Sequence, residues 1–255
     1  MSVFDFLIVL LLLPLIYQNF KFLYLKLMRN FIISRIEAKR NTKVIIMIHK
    51  KRSPFLGIFG TDKIDIENSE AILDELRSVP ESKAIDIIIH TPGGFAIAAE
   101  QIALALAEHK SEITAFIPHY ALSGGTLIAV AANKIVMDKN AFLGRIDPQL
   151  IGFPAASLVK AIDKKEINEI SDSALVLADI AEKSIKQLTG FVVKILKIRR
   201  YDLSKIDKIA TELVSGKYTH DHPLTYSEAL DYGLKVNTGI PGEVYKLLKL
   251  YTSRY

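Results

Sequence analysis

The chain has 255 residues, half of them apolar, no cysteine, a formal charge of +5 and a pI near 9.1. That composition marks a folded rather than a disordered protein and excludes disulfides, thiol catalysis and cysteine-held metals. The excess charge is local, with ten Lys or Arg against the single acid Glu37 between Lys21 and Arg52, so a general nucleic-acid surface is not implied. Phe6 to Phe20, FLIVLLLLPLIYQNF, is almost wholly apolar. A cleaved signal would begin with positive charge and end at small residues, but this chain begins MSVFD and has no A-x-A-like site. The run reads instead as a membrane anchor: residues 1–25, with one spanning helix over 3–25. Lys21, Lys26, Arg29, Arg35, Lys39 and Arg40 all follow it, which places the body on the cytoplasmic side. Residues 26–42, with Asn30 to Asn41 at their centre, read as a basic juxtamembrane linker, and 43–255 as one domain.

Lys43 to Ile48 is a buried-strand pattern, and Lys51 to Lys63 a loop. Asn68 to Ser78 has apolar residues at helical spacing, with Ser69 as a candidate cap. Strand runs at Ile85–Ile89, Ile113–Ile117 and Lys134–Met137 alternate with helical runs at Phe95–Glu108 and Gly125–Ala132. This βαβ alternation predicts an α/β fold with a mostly parallel sheet. Irregular residues follow from Gly144 to Ser171, then a long helix over Asp172–Ile198 and two shorter ones near 204–214 and 227–232.

The chemistry gathers at two glycine turns. IDIIIH (85–90) runs into TPGG (91–94) and then a helix. The next strand runs into HYALSGGT (119–126), so Ser123 stands at a strand-to-helix turn followed by Gly124 and Gly125. Such a turn exposes a nucleophile and leaves N–H groups free to hold an oxyanion. Ala121 occupies the first glycine position of a G-x-S-x-G elbow, so the α/β-hydrolase reading fails on its own motif.

The succession IDIIIHTPGG, AAEQIALAL, PHYALSGGTLIAVAANKIVMD, LGRIDPQL, LADIAEKSIKQ and THDHPLTYSEALDYGL resembles the SDH family of Clp-fold serine proteinases, relatives of ClpP and SppA. The resemblance spans roughly residues 43–250. It implies a ClpP/crotonase-like fold of stacked ββα units, here with an N-terminal transmembrane helix, and an oligomeric serine peptidase. It places the nucleophile at Ser123, the oxyanion and substrate strip at Gly93 and Gly94, and a second oxyanion donor at Gly124. Arg145, in LGRIDPQ, stands where the family pattern implies proline.

The general base is not given by the motif. ClpP-like enzymes place a histidine about 25 residues after the serine, and the segment there, LGRIDPQ, has none. SppA-like enzymes use a lysine, which must be desolvated to act near neutral pH. Lys183, among Ala178, Ile180, Ala181 and Ile185, is the first candidate, and Lys164 or Lys165 the next. His119, four residues before Ser123, is the histidine alternative, and His90 borders the same turns. His220 and His222 flank Asp221 in an H-x-H that reads as a hydrogen-bonded turn, with no third metal ligand apparent.

The expectation is a peptide- or protein-cleaving, membrane-associated homo-oligomer that needs no cofactor, metal or nucleic acid. The rival classes are an inactive Clp-fold membrane scaffold and a crotonase-type acyl-CoA enzyme.

Overall fold

The computed structural model describes residues 3–49 and 63–252, and for residues 3–11, 14 and 15 the backbone alone. The loop expected at Lys51–Lys63 lies, Lys63 apart, outside the described residues. The chain divides into two units, Met1–Thr42 with Pro241–Tyr255, and Lys43–Ile240.

In the first unit, α1 (Val3–Arg40) is one continuous helix, and the linker expected at 26–42 is helical almost to its end. The reason lies at the other terminus of the chain, in a C-terminal helix over Gly242–Thr252. Ile32 and Ile36 of α1 are buried, Arg29 donates from Nη2 to Leu250 O at 2.6 Å, and its guanidinium lies 4.1 Å from the Tyr251 ring centroid. Glu243 takes Lys39 at 3.4 Å and Arg35 at 3.6 Å. Arg29, Arg35 and Lys39, which read as part of a basic juxtamembrane linker, are thus partners for the last helix. Among the described residues no helix is long and apolar enough to cross a membrane.

The second unit is built around a five-stranded sheet. Its elements begin with β1 (Thr42–Ile48), α2 (Ile66–Ser78), β2 (Ala84–His90), α3 (Ala96–Glu108), β3 (Ile113–Ile117), β4 (Tyr120–Ala121), α4 (Gly124–Val130), β5 (Lys134–Met137) and β6 (Phe142–Leu143). A two-stranded hairpin, β7 (Gln149–Leu150) and β8 (Phe153–Pro154), leads into α5 (Ala155–Ile162). Then come α6 (Asp172–Ile198), α7 (Leu203–Val214), α8 (Tyr226–Tyr232) and β9 (Val236–Asn237). Numbered in the same order, the C-terminal helix of the first unit is α9.

The sheet order is β1-β2-β3-β5-β9. Pairs β2/β3, β3/β5 and β5/β9 are parallel, with Ile87 opposite Ala115, Ala115 opposite Ile135 and Ile135 opposite Val236. β2 and β3 are buried on both faces, which is why IDIIIH and ITAFI read as unbroken apolar runs. The Ala-rich α3 packs against α2, α4 and α6, with Ala98, Ala99, Ile102, Ala103 and Leu106 buried. Small residues at these positions let the helices approach closely. Asp65, not Ser69, caps α2: its carboxylate accepts from Asn68 N–H, while Ser69 is buried and bonded to Gln101 at 2.9 Å. The segment 144–171 is more ordered than its composition suggests, since the hairpin and α5 occupy much of it.

Arg199, at the end of α6, ties three elements together. Its buried guanidinium donates to Ala131 O at 2.5 Å and to Leu106 O, carbonyls at the C-terminal ends of α4 and α3. These ends carry carbonyls with no partner inside their helices, and a cation there also complements the helix dipole.

Candidate active site

The two glycine turns predicted from sequence meet in space. The turn after β2 and the turn after β3 are clamped by backbone bonds, Thr91 N–H to Tyr120 O at 3.3 Å and Leu122 N–H to Thr91 O at 3.0 Å. Two threonines complete the clamp. Thr91 Oγ1 accepts from Gly93 N–H at 3.2 Å and lies 2.7 Å from His49 Nδ1. Thr126 Oγ1 lies 2.7 Å from Ala121 O and accepts from Gly144 N–H at 2.9 Å. Neither threonine was singled out in the sequence, where a threonine beside a glycine turn carries no signal of its partner.

Ser123 is the N-cap of α4 and has φ 51° and ψ −120°. A non-glycine residue held at positive φ costs of order 1–3 kcal/mol and persists only where its surroundings enforce it. Gly93, at φ +102°, is one of those surroundings: a Cβ there would lie 2.8 Å from Ser123 Cβ and 3.3 Å from Ser123 Oγ. The bare Gly93 backbone therefore forms one wall against the serine hydroxyl. Gly94 is packed still more tightly, with Ile64 N–H bonded to Gly93 O at 2.8 Å and Phe95 N–H to Ile64 O at 2.9 Å. A Cβ on Gly124 would lie 4.0 Å from Gly94 N, so the Gly124 backbone runs beside the Gly94 amide. Among the described residues neither the Gly94 nor the Gly124 N–H has an intramolecular acceptor. A serine hydroxyl at a strand-to-helix turn, with N–H donors nearby that have no acceptor among the described residues, is the equipment that acyl transfer through a tetrahedral oxyanion uses.

The sequence candidates for the base lie on different elements: α6, the turn after α5 and the turn before β4. Lys183 is exposed and ion-paired with Asp179 at 2.5 Å. The desolvated setting expected for it is not found. Its apolar neighbours Ala178 and Ala181 are buried with Leu188, Val192 and Ile195, and Lys183 falls about 200° around the helix from Ala181. Lys164 and Lys165 are exposed in the turn after α5. His119 is exposed at the turn before β4, its ring edge-on to His90 at 5.8 Å.

His90 itself is 7 % exposed, packs on Tyr120 at 4.1 Å between ring centroids, and has no partner for Nδ1 among the described residues. Burial, reinforced by His119 and His49, holds its pKa down to about 4. Between about 4 and the ordinary value of 6.5 the unfolded chain binds a proton that the folded chain refuses. Stability therefore falls as pH drops through that window, by at most about 3 kcal/mol from this group. Urea midpoints at pH 4.5 and 7 should differ more in the parent than in His90→Phe. Equal differences in the two proteins would remove His90 as the cause. His220 works in the opposite sense. Its hydrogen bond to Asp147 raises its pKa, so its contribution is full below 6.5 and is lost as pH rises through the raised value.

The H-x-H pair separates in the same way. His220 Nδ1 lies 2.9 Å from Asp147 Oδ1, whereas His222 stacks on Tyr218 at 4.5 Å. Among the described residues no group of three or more His, Asp or Glu side chains is arranged to hold a metal ion.

Residues 1–254 match the family described as ClpP-like SDH-type serine proteinase. Two uncharacterized proteins of Methanocaldococcus jannaschii are each 49 % identical to the chain. One aligns over 252 residues, 98 % of this chain and 85 % of the relative, the other over 230 residues, 89 % and 79 %. Among solved structures, a serine-to-alanine variant of the 1510-N membrane-bound stomatin-specific protease superposes with a TM-score of 0.50 at 20 % identity, covering 82 % of this chain and 85 % of that one. At that identity the likeness is one of fold, a ClpP-like α/β architecture with a parallel sheet.

Proposed function

The chain belongs to the ClpP-like SDH-type serine proteinase family, and from that premise we propose that it hydrolyses peptide bonds with Ser123 as nucleophile. The observation that carries the reading is the strained Ser123 backbone set against Gly93, next to the unpaired N–H groups of Gly94 and Gly124. Ser123 Oγ attacks the scissile carbonyl carbon and loses its proton to a base. The carbonyl oxygen becomes an oxyanion that accepts from Gly94 and Gly124 N–H. Collapse expels the amine, which takes up a proton, and leaves an acyl-enzyme ester. Water repeats the sequence, releases the acid and restores the hydroxyl. The substrate lies extended along the backbone that leads into Gly93 and Gly94.

The base in this reading is a lysine, as in a Ser/Lys dyad. Lys183 serves only if it leaves Asp179 and is desolvated, Lys164 only if its exposed amine is likewise desolvated, and His119 is the imidazole alternative. The pH dependence of kcat/KM in Lys183→Ala, Lys164→Ala and His119→Ala separates them: the base is the residue whose loss removes the basic limb.

The N-terminal apolar run anchors the protein in the membrane with its body facing the cytoplasm, and further copies of the chain complete the assembly. Support for the anchor is the run Phe6–Phe20 followed by basic residues. Recovery of the intact chain from membranes after alkaline wash tests it, and full release into the supernatant would overturn it.

Labelling by a serine-directed fluorophosphonate tests the central claim. Labelling that vanishes in Ser123→Ala is expected. An unlabelled parent that binds acyl-CoA would instead favour the crotonase-type reading, and one that does neither would favour the scaffold.

A further inference from the structure

Arg145 is the largest fully buried side chain of the described residues, and no carboxylate oxygen among them lies within ion-pair distance of it. Its Nη1–H donates to Glu212 O at 2.9 Å and Nη2 reaches Tyr232 Oη at 3.5 Å, while Nε has no partner among the described residues. The guanidinium carbon lies 4.4 Å from the Tyr218 ring centroid and 5.6 Å from that of Tyr232. Tyr218 is also stacked by His222 at 4.5 Å between ring centroids. A cation so incompletely satisfied is costly to bury, and an apolar side chain of similar volume would be the cheaper core residue.

What the arginine holds is its neighbour. Gly144 N–H donates to Ala121 O at 3.2 Å and to Thr126 Oγ1 at 2.9 Å. A Cβ on Gly144 would lie 3.0 Å from both Leu122 Cα and Ser123 N. The backbone at 144 is thus the back wall of the serine turn. One residue beyond Arg145, Ile146 N–H is bonded to Leu213 O at 2.8 Å. The strip 144–146 is pressed on the serine turn at one end and anchored to α7 and the 218–232 region at the other, with the Arg145 fork between.

We propose that Arg145 is a positioning residue: clamped by Tyr218, Tyr232 and Glu212 O, it holds Gly144 against Leu122 and Ser123 and so keeps the strained serine aligned with the Gly94 and Gly124 donors. This rests on the reading of Ser123 as nucleophile. The planar fork and its cation–π contacts set direction as well as volume, which an aliphatic side chain cannot do. Misplacement of a reacting group by about 1 Å costs about a hundredfold in rate.

The test compares Arg145→Met, Arg145→Lys and Tyr218→Leu in the full chain, by fluorophosphonate labelling rate, kcat and KM on a peptide, thermal unfolding, and amide exchange over residues 121–126. Arg145→Met is expected to fold, to lose about 30- to 100-fold in labelling rate and kcat with KM within about threefold, and to exchange faster over 121–126. Arg145→Lys should recover part of the loss, because it keeps the cation against the rings, and Tyr218→Leu should move in the same direction as Arg145→Met. Labelling and exchange at the parent rate in folded Arg145→Met overturn the proposal. If that variant does not fold, parent-like rates in Tyr218→Leu overturn it. A parent that is not labelled at all sinks the nucleophile reading, and amide exchange then still decides whether Arg145 holds the turn.

Discussion

Ser123→Ala is expected to lower kcat for peptide hydrolysis by at least about 10⁴-fold while leaving the protein folded, as removal of a nucleophile does when the rest of the site survives. Ser123→Gly should be equally inactive yet no less stable, and stabilised by up to about 1 kcal/mol. The reason is the backbone at φ 51° and ψ −120°, which an L side chain adopts at a cost and glycine does not. Part of that gain is offset because glycine also frees the unfolded chain. Urea midpoints together with turnover numbers check both halves. A Ser123→Ala protein that retains the parent rate would end the catalytic assignment. A Ser123→Gly protein clearly less stable than the parent would mean the serine side chain stabilises its own turn.

Gly94→Ala should be the most damaging glycine-to-alanine change among the described residues. A Cβ at this position would sit 2.0 Å from Ile64 O, 2.4 Å from Ile64 N and 2.7 Å from Ile64 C, all backbone atoms. Ile64 cannot step aside, because its side chain is fully buried and its N–H and C=O are bonded to Gly93 and Phe95. Relief therefore requires the strip to separate, with loss of two backbone hydrogen bonds and of core packing. The expected cost exceeds about 4 kcal/mol, in the exceptional range for a point change. Gly190→Ala is the control. It lies inside α6 with no other atom within 4 Å of the added carbon, and it should stabilise by about 0.5–1 kcal/mol. Comparable unfolding midpoints for the two variants would refute the steric account of Gly94.

The elements that local pattern identified are those whose partners lie on both sides of a short apolar run. Ile113–Ile117 and Lys134–Met137 coincide with β3 and β5, and the long helix with α6. The pairing of two glycine turns after successive strands was also legible, because parallel neighbouring strands end at the same edge of a sheet, and β2 and β3 are such neighbours. Less visible were α5 and α9. AASLVKAI is short and follows proline, and GEVYKLLKLYT declares its purpose only through Arg29, Arg35 and Lys39, some two hundred residues away in sequence.

Sequence by itself determined the family, the parallel α/β architecture and the turns that carry Ser123, Gly93, Gly94 and Gly124, since strand periodicity and glycine placement are local properties of the backbone. Tertiary structure alone decided that residues 30–40 are helix rather than linker, that Lys183 faces solvent and Asp179 rather than an apolar pocket, and that Arg145, where the family pattern implies proline, is buried against Tyr218 and Tyr232. Each of these turns on which face of an element is covered, and by what. Burial of a charged side chain is set by residues distant in sequence whose rings and carbonyls must arrive at one point, and a linear pattern does not encode that arrival.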